Sequence, residues 1–341
     1  MDAVTAQTKP IPKGFSLSAS RSQAYLNEYK GNVFEYLVGL ALAQKFDLEA
    51  DFINSLGDNQ LNLLLHYESE IKKISPSLAR ELPLLAERTA LETIETLSPA
   101  SLTEIRLLGK PQALGGKARG DEGDLRVSVG AKTIPLSLKL GKVSSFINTK
   151  SGGIKSFVAE YFGAFDPYWA QRELNEFLED SYLQMGEQLY RQNGLDFQGS
   201  WDARWKEAGL SELPGELPGP LRPMVYDHYK RVTSKLYTIL RDFYERDAEL
   251  FKHCLCPLLG LSRELTQIKV YHQDHKFHSL AVVDQKTLAK ILDSMTWPKG
   301  ERGKGVFHID FHRHRFQLRP KPMNKFTAMA LKVNCSVKFH S

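Results

Sequence analysis

Between Ser18 and Phe46 the residues Tyr25, Phe34, Tyr36, Leu37, Val38, Leu40 and Leu42 recur at helical spacing. This predicts a helix capped by Ser18 or Ser20 and interrupted at Gly31. Residues 50–97 carry a similar pattern and predict further helices, with Pro76 in a first-turn position behind Ser75 and Pro83 bending or ending a turn. The period then changes. Thr103–Leu108 is short and strand-like, and Gly115, Gly116, Gly120 and Gly123 punctuate the segment after it. Leu125, Val127 and Val129 alternate with Arg126 and Ser128, and Leu136, Leu138 and Leu140 alternate with Ser137, Lys139 and Gly141. Gly130, Ala131 and Lys132 lie between the two runs, so together they predict a hairpin.

Helical patterning returns from Ile154 to about Gly194. Four prolines and two glycines in SELPGELPGPLRP then mark 211–223 as a linker or long surface loop. The expected organisation is a polar leader (1–17), a helical region with a mixed core (18–210), that linker, and a helical and β-rich region (224–341). Met224–Leu259 predicts one long helix whose aromatic stripe of Tyr226, Tyr229, Tyr237, Phe243, Tyr244 and Phe251 packs into a core. Ile268–Val283 predicts a hairpin turning at Asp274 and His275. Val306–Leu318 predicts a strand with a bulge, because neither parity is cleanly apolar, and Thr327–Phe339 predicts another. The fold class is α/β in the broad sense, α+β in detail.

Length and composition fit a globular chain: 341 residues, 42% hydrophobic and 25% charged. The net charge of +5 is unevenly placed. Residues 301–341 hold nine lysines and arginines against Glu301 and Asp310, an excess of seven that exceeds the surplus of the whole chain. Such a localised basic region points to a polyanionic partner. Three cysteines, Cys254, Cys256 and Cys335, make no disulfide framework, and His253 beside Cys254 and Cys256 lacks zinc-finger spacing. With no apolar signal region and no long apolar run, the expected setting is cytoplasmic, without a membrane anchor.

The hairpin carries the candidate chemistry. Side chains alternate across a strand, so Asp124 opposes Leu125, Val127 and Val129, while Ser137 and Lys139 oppose the leucines. With both apolar faces directed to the core, Asp124 and Lys139 share the other face. A carboxylate that holds Mg²⁺ and a lysine that orients a nucleophile are what phosphodiester hydrolysis requires. One aspartate holds a hard cation poorly, so a second carboxylate is expected. The adjoining stretch GKVSSFINTKSGGIKSF brings Lys142, Asn148, Lys150 and Lys155, with Gly152-Gly153 ahead of a helix start that would suit a phosphate.

The order of GNVFEY (31–36), GDEGD (120–124), a strand, a turn and LSLK (136–139) resembles the core of the PD-(D/E)xK nuclease superfamily. More narrowly, it is similar to HaeIII-type type II restriction endonucleases, over about residues 28–165 and loosely at the C-terminal strands. The resemblance implies a mixed central sheet flanked by helices, with helical N-terminal and helical/β C-terminal elaborations. It implies a Mg²⁺-dependent, site-specific deoxyribonuclease of a restriction system, acting on a short G/C-rich palindrome in double-stranded DNA. It makes Asp124 the metal aspartate and Lys139 the catalytic lysine. Ser137 stands where the commonest form of the motif has Glu or Asp, so the missing acid must come from elsewhere: Glu35 first, then Glu160, with Glu122 a third candidate. Cutting both strands implies a homodimer or successive nicking, and no nucleotide cofactor.

For base and phosphate contacts the C-terminal strands offer Arg313, Arg315, Gln317 and Arg319, with His312, His314 and Asn324 nearby. Two other readings share these residues. One is a structure-specific nuclease in repair or defence; the other is a DNA-binding protein that has lost a metal carboxylate.

Overall fold

The computed structural model describes residues 19–98, 101–108, 123–143, 145–260, 265–297, 305–311, 314–323 and 325–339. Two compact units divide the chain, the first drawn from 1–115, 125–131 and 274–277, the second from 116–124, 132–273 and 278–341. No described helix is long and apolar enough to cross a membrane.

The first unit is mostly helical: α1 (Ala19–Lys45), α2 (Glu49–Asn54), α3 (Asp58–Ile74) and α4 (Pro76–Leu97). Neither Gly31 nor Pro83 ends a helix. Helix α1 runs through Gly31, and α4 continues past Pro83. Pro83 removes one backbone donor, but burial of Leu78, Leu82, Leu85, Ala86 and Ala90 along α4 carries the helix across it. Pro76 does open α4 behind Ser75. Gly39 allows α1 its close packing, since a β-carbon there would stand 2.7 Å from the Phe52 ring. Strands β1 (Glu104–Leu107) and β2 (Leu125–Val129) pair antiparallel, with Ile105 opposite Val127.

The second unit begins its strands with β3 (Lys132–Lys142), joined to β2 by Gly130 and Ala131, with Gly130 at φ +58° as a tight hairpin turn requires. Strand β4 (Ile147–Gly153) leads into α5 (Ile154–Tyr161), then α6 (Tyr168–Gln192) and the short α7 (Ala203–Glu207). Residues 211–223 do not separate two units: they run within this one, and Leu217 and Leu221 are buried in its core. The proline-rich composition there serves a tight loop into α8 (Arg222–Arg246), with Pro223 in the first turn.

The long helix expected over 224–259 is two helices. Asp247 leaves the helical region at φ −155° and accepts from the Leu250 N–H at 2.9 Å, capping α9 (Ala248–Leu255). The aromatic stripe is core as expected, with Tyr229, Tyr237, Phe243 and Phe251 buried and Tyr226 exposed. Phe243 stacks on Phe165 at 4.7 Å between centroids.

Strands β5 (Thr266–Gln273) and β6 (Lys276–Val283) are joined by Asp274 and His275, both at positive φ, as the hairpin reading required. After α10 (Gln285–Asp293) and β7 (Met295–Thr296), the expected bulged strand over 306–318 is instead a pair, β8 (Phe307–Phe311) and β9 (His314–Pro322), with Phe311 opposite His314. The imperfect alternation is that reversal. Strand β10 (Leu331–Phe339) completes a sheet of order β4-β10-β9-β8-β7, and the register shift lies between Cys335 and Ser336 against β4. One face of this sheet presents Phe307, Ile309, Phe316, Leu318, Val333 and Val337 to the core shared with α5, α6 and α8.

Inside that core His228 is 3% exposed and meets Ser181 Oγ through Nδ1 at 2.9 Å. Burial, and then Arg231, push its imidazole down to about 4. A histidine whose folded pKa lies below its unfolded 6.5 contributes stability above pH 6.5 that is lost as pH falls through about 4. The loss should reach roughly 2–3 kcal/mol. Urea unfolding at pH 7.5 and 4.5 should show this, and His228→Gln should flatten that part of the profile; an identical pH dependence in the variant would contradict it.

Candidate active site

Asp124 precedes β2, and its backbone N–H donates to the Leu136 carbonyl of β3 at 2.7 Å. That bond fixes the carboxyl beside the Ser137–Lys139 segment. Three donors converge on Asp124 Oδ2: Ser137 Oγ at 3.1 Å, the Leu138 N–H at 2.6 Å and Lys139 Nζ at 3.0 Å. Oδ1 carries none of these bonds. The side chains of Asp124 and Lys139 are 21% and 25% exposed, so the pair opens to solvent, whereas Ser137 is buried. Converging donors fix the orientation of the carboxylate.

Strand parity therefore does place Asp124 and Lys139 on one face. Ser137 holds the aspartate in place. Ser137→Ala removes one of three donors to Oδ2; under the nuclease expectation it should slow single-turnover DNA cleavage about tenfold, or about 1.4 kcal/mol. An unchanged rate would remove Ser137 from the site.

The glutamates fall in different places. Glu35 is half-buried on α1 in the first unit, while Asp124 and Lys139 belong to the second. Glu160 is exposed near the end of α5, where burial, and then its charge, push the Tyr161 hydroxyl up to about 12. Glu122 lies outside the described residues. Among the described residues no group of three or more His, Cys, Asp or Glu side chains is placed to hold one metal ion. Among the described residues Cys254, Cys256 and Cys335 form no disulfide.

Strand β3 pairs in parallel with β5, with Ser137 opposite Gln267, Lys139 opposite Lys269 and Gly141 opposite Tyr271. Register partners in a parallel ladder point to the same face, so Gln267 and Lys269 extend the polar row that Asp124 and Lys139 begin. Sequence reasoning missed both. The available signal was a lysine set between Ile268 and Val270 in an otherwise apolar strand.

A second polar surface lies on the C-terminal sheet. Across β9 and β10, Arg315 faces Lys338, Gln317 faces Ser336, Arg319 faces Asn334 and Lys321 faces Lys332. These positions alternate with the apolar core face, so all lie on the other side. Asn148 joins them through its pairing with Ser336. Asp310 is the acid opposite Arg315 and pairs with it at 2.6 and 3.2 Å. His308 stacks on Phe146 and meets Gln317 at 3.0 Å. Burial, and then the charges of Lys332 and Arg319, push the Lys321 amine below its usual range.

Of the expected DNA contacts, the structure thus groups Asn148, Arg315, Gln317 and Arg319 on one face. Lys142 ends β3, Lys150 lies exposed on β4, and Lys155 lies exposed on α5. Arg313, His312 and Asn324 lie outside the described residues. The chain matches no family model, no curated protein and no solved structure. Its own residues therefore carry the functional reading.

Proposed function

We propose that the protein is a Mg²⁺-dependent endonuclease of double-stranded DNA with a PD-(D/E)xK-type site, hydrolysing phosphodiester bonds at a defined sequence as a restriction enzyme does. The observation that carries the proposal is the convergence of Ser137, the Leu138 N–H and Lys139 on a single oxygen of Asp124. A hard cation prefers oxygen ligands, and the Asp124 carboxylate is such a ligand, placed beside Lys139. Mg²⁺ retains several waters and shares oxygens of a phosphate substrate, so it needs only one or two protein carboxylates. Asp124 Oδ1 would be one such ligand, and Glu160 is the expected carboxylate that lies in the same unit.

When bound, Mg²⁺ supplies Lewis-acid polarisation of the phosphate and lowers the pKa of a coordinated water. The chain's own residues do the rest. Ser137 and the Leu138 N–H hold the Asp124 carboxylate in a fixed orientation. Lys139 donates from its ammonium to the attacking water or to a non-bridging phosphate oxygen, and its charge opposes the negative charge that develops there. The basic face built on β9 and β10 binds the duplex backbone, and Arg315 and Gln317 supply donor groups suited to base edges. A C2 dimer would present two such sites to a palindrome, and a monomer would nick each strand in turn.

Covalently closed circular duplex DNA distinguishes this reading from an end-dependent repair or defence nuclease. The expected result is Mg²⁺-dependent conversion of the circle to a linear product with fixed ends. Digestion that requires a free end would overturn site specificity and leave the hydrolytic site in place.

A further inference from the structure

Lys269 is 2% exposed, in the middle of β5, and among the described residues no hydrogen bond or ion pair reaches its ammonium. Its strand neighbours Ile268 and Val270 are fully buried and apolar. A lysine gains nothing from such a position by packing alone, because removing an unpaired ammonium from water is costly. The register decides where it points: Lys269 partners Lys139 in the parallel β3–β5 ladder, so the two stems run side by side on the face that bears Asp124.

The polar row has a built floor. Gln267, 1% exposed, partners Ser137, and its Oε1 has no hydrogen-bond partner. Behind it, a β-carbon on Gly260 would stand 2.9 Å from Gln267 Nε2, and Thr149 Oγ1 donates to the Leu258 carbonyl at 2.6 Å. The turn at 258–260 thus closes the inner end of the row against β4. Asp124 is the carboxylate at the open end, and it already receives Lys139. The inner end therefore holds a buried amine with no counter-charge among the described residues. Burial pushes the Lys269 amine down to about 7, so the approach of an anion would restore its charge.

We propose that Lys269 is a second phosphate-binding cation of the site, which grips a non-bridging oxygen of the substrate phosphate beside Lys139. This rests on the nuclease reading for its substrate, but the ligand chemistry, an oxyanion between two amines, derives from the β3–β5 face itself. In hydrolysis it would place Lys139 and Lys269 on one phosphate, with Asp124 at the open end of the row.

The test uses the full chain with Lys269→Met, which keeps the length of the side chain and removes the amine. Two readouts are taken. In the first, inorganic phosphate is added and thermal unfolding is followed. Phosphate should raise the midpoint of the wild type, and at least two thirds of that rise should be lost in Lys269→Met, whose own midpoint without phosphate should be unchanged or higher. In the second, single-turnover cleavage with Mg²⁺ should fall about 100-fold, while duplex affinity measured with Ca²⁺ stays within about threefold.

Equal phosphate shifts in variant and wild type, the absence of any shift in the wild type, or cleavage within threefold of wild type would overturn the proposal. If the wild type cuts no DNA, the nuclease reading fails, and the phosphate readout alone decides Lys269. Should Lys269→Met not fold, Lys269→Gln is read by the same criteria.

Discussion

Asp124→Asn should reduce Mg²⁺-dependent DNA cleavage by at least about 10³-fold, equivalent to about 4 kcal/mol of transition-state stabilisation. The amide matches the carboxylate in shape but removes the anion that a hard cation needs. It also leaves Lys139 without the counter-charge 3.0 Å away. The sign of a second effect is diagnostic. Without a divalent ion, the wild-type carboxylate repels a phosphate, so Asp124→Asn should bind duplex DNA in EDTA as tightly as the wild type or more tightly. Fluorescence anisotropy and single-turnover kinetics on one preparation read both quantities. Retention of more than a tenth of the wild-type rate would remove Asp124 from the metal site, and a matching loss of affinity and rate would assign it to DNA binding.

The second large effect concerns the sheet face. Converting Arg319, Lys321, Lys332 and Lys338 together to glutamine removes four cations whose strand positions share one face. Each cation withdrawn from a phosphate lowers the slope of log affinity against log salt by about 0.9, so the slope should flatten by up to about 3.6. At low salt the affinity should fall on the order of 10²–10³-fold. These side chains lie opposite the apolar face of the sheet, so circular dichroism and the unfolding midpoint should barely move. An affinity within threefold of the wild type would place the duplex elsewhere. Arg315 is left out deliberately, because its pairing with Asp310 gives it a structural role as well.

The shared face of Asp124 and Lys139 was legible in the sequence, and the features that were hidden depend on packing or on pairing between distant segments. Parity along two adjacent runs sufficed to bring Asp124 and Lys139 to one face, since a hairpin is local and its alternation survives in the residue order. Helices of the first unit were readable from their apolar spacing, apart from Gly31 and Pro83, where packing outweighed the local preference. The break at Asp247 was hidden because the aromatic period continues across it into Phe251. The reversal between β8 and β9 was hidden because the sequence between Phe311 and His314 carries no Asn-Gly signal. Lys269 was unreadable as a neighbour of Lys139 because the parallel pairing of β3 with β5 joins segments far apart in the chain, and no local pattern encodes that register. Likewise, the charge surplus of residues 301–341 was plain in the sequence, but its gathering on one face required the β9–β10 register.

The central claim is that Asp124 and Lys139 form a metal-dependent phosphodiesterase site, and the most direct measurement is digestion of long, unmodified duplex DNA by the purified full chain with Mg²⁺ and, in parallel, with EDTA. Discrete fragments that appear with Mg²⁺, vanish with EDTA and vanish again in Lys139→Met are the expected result. DNA left intact under every divalent ion, or fragments that persist undiminished in Lys139→Met, would contradict it.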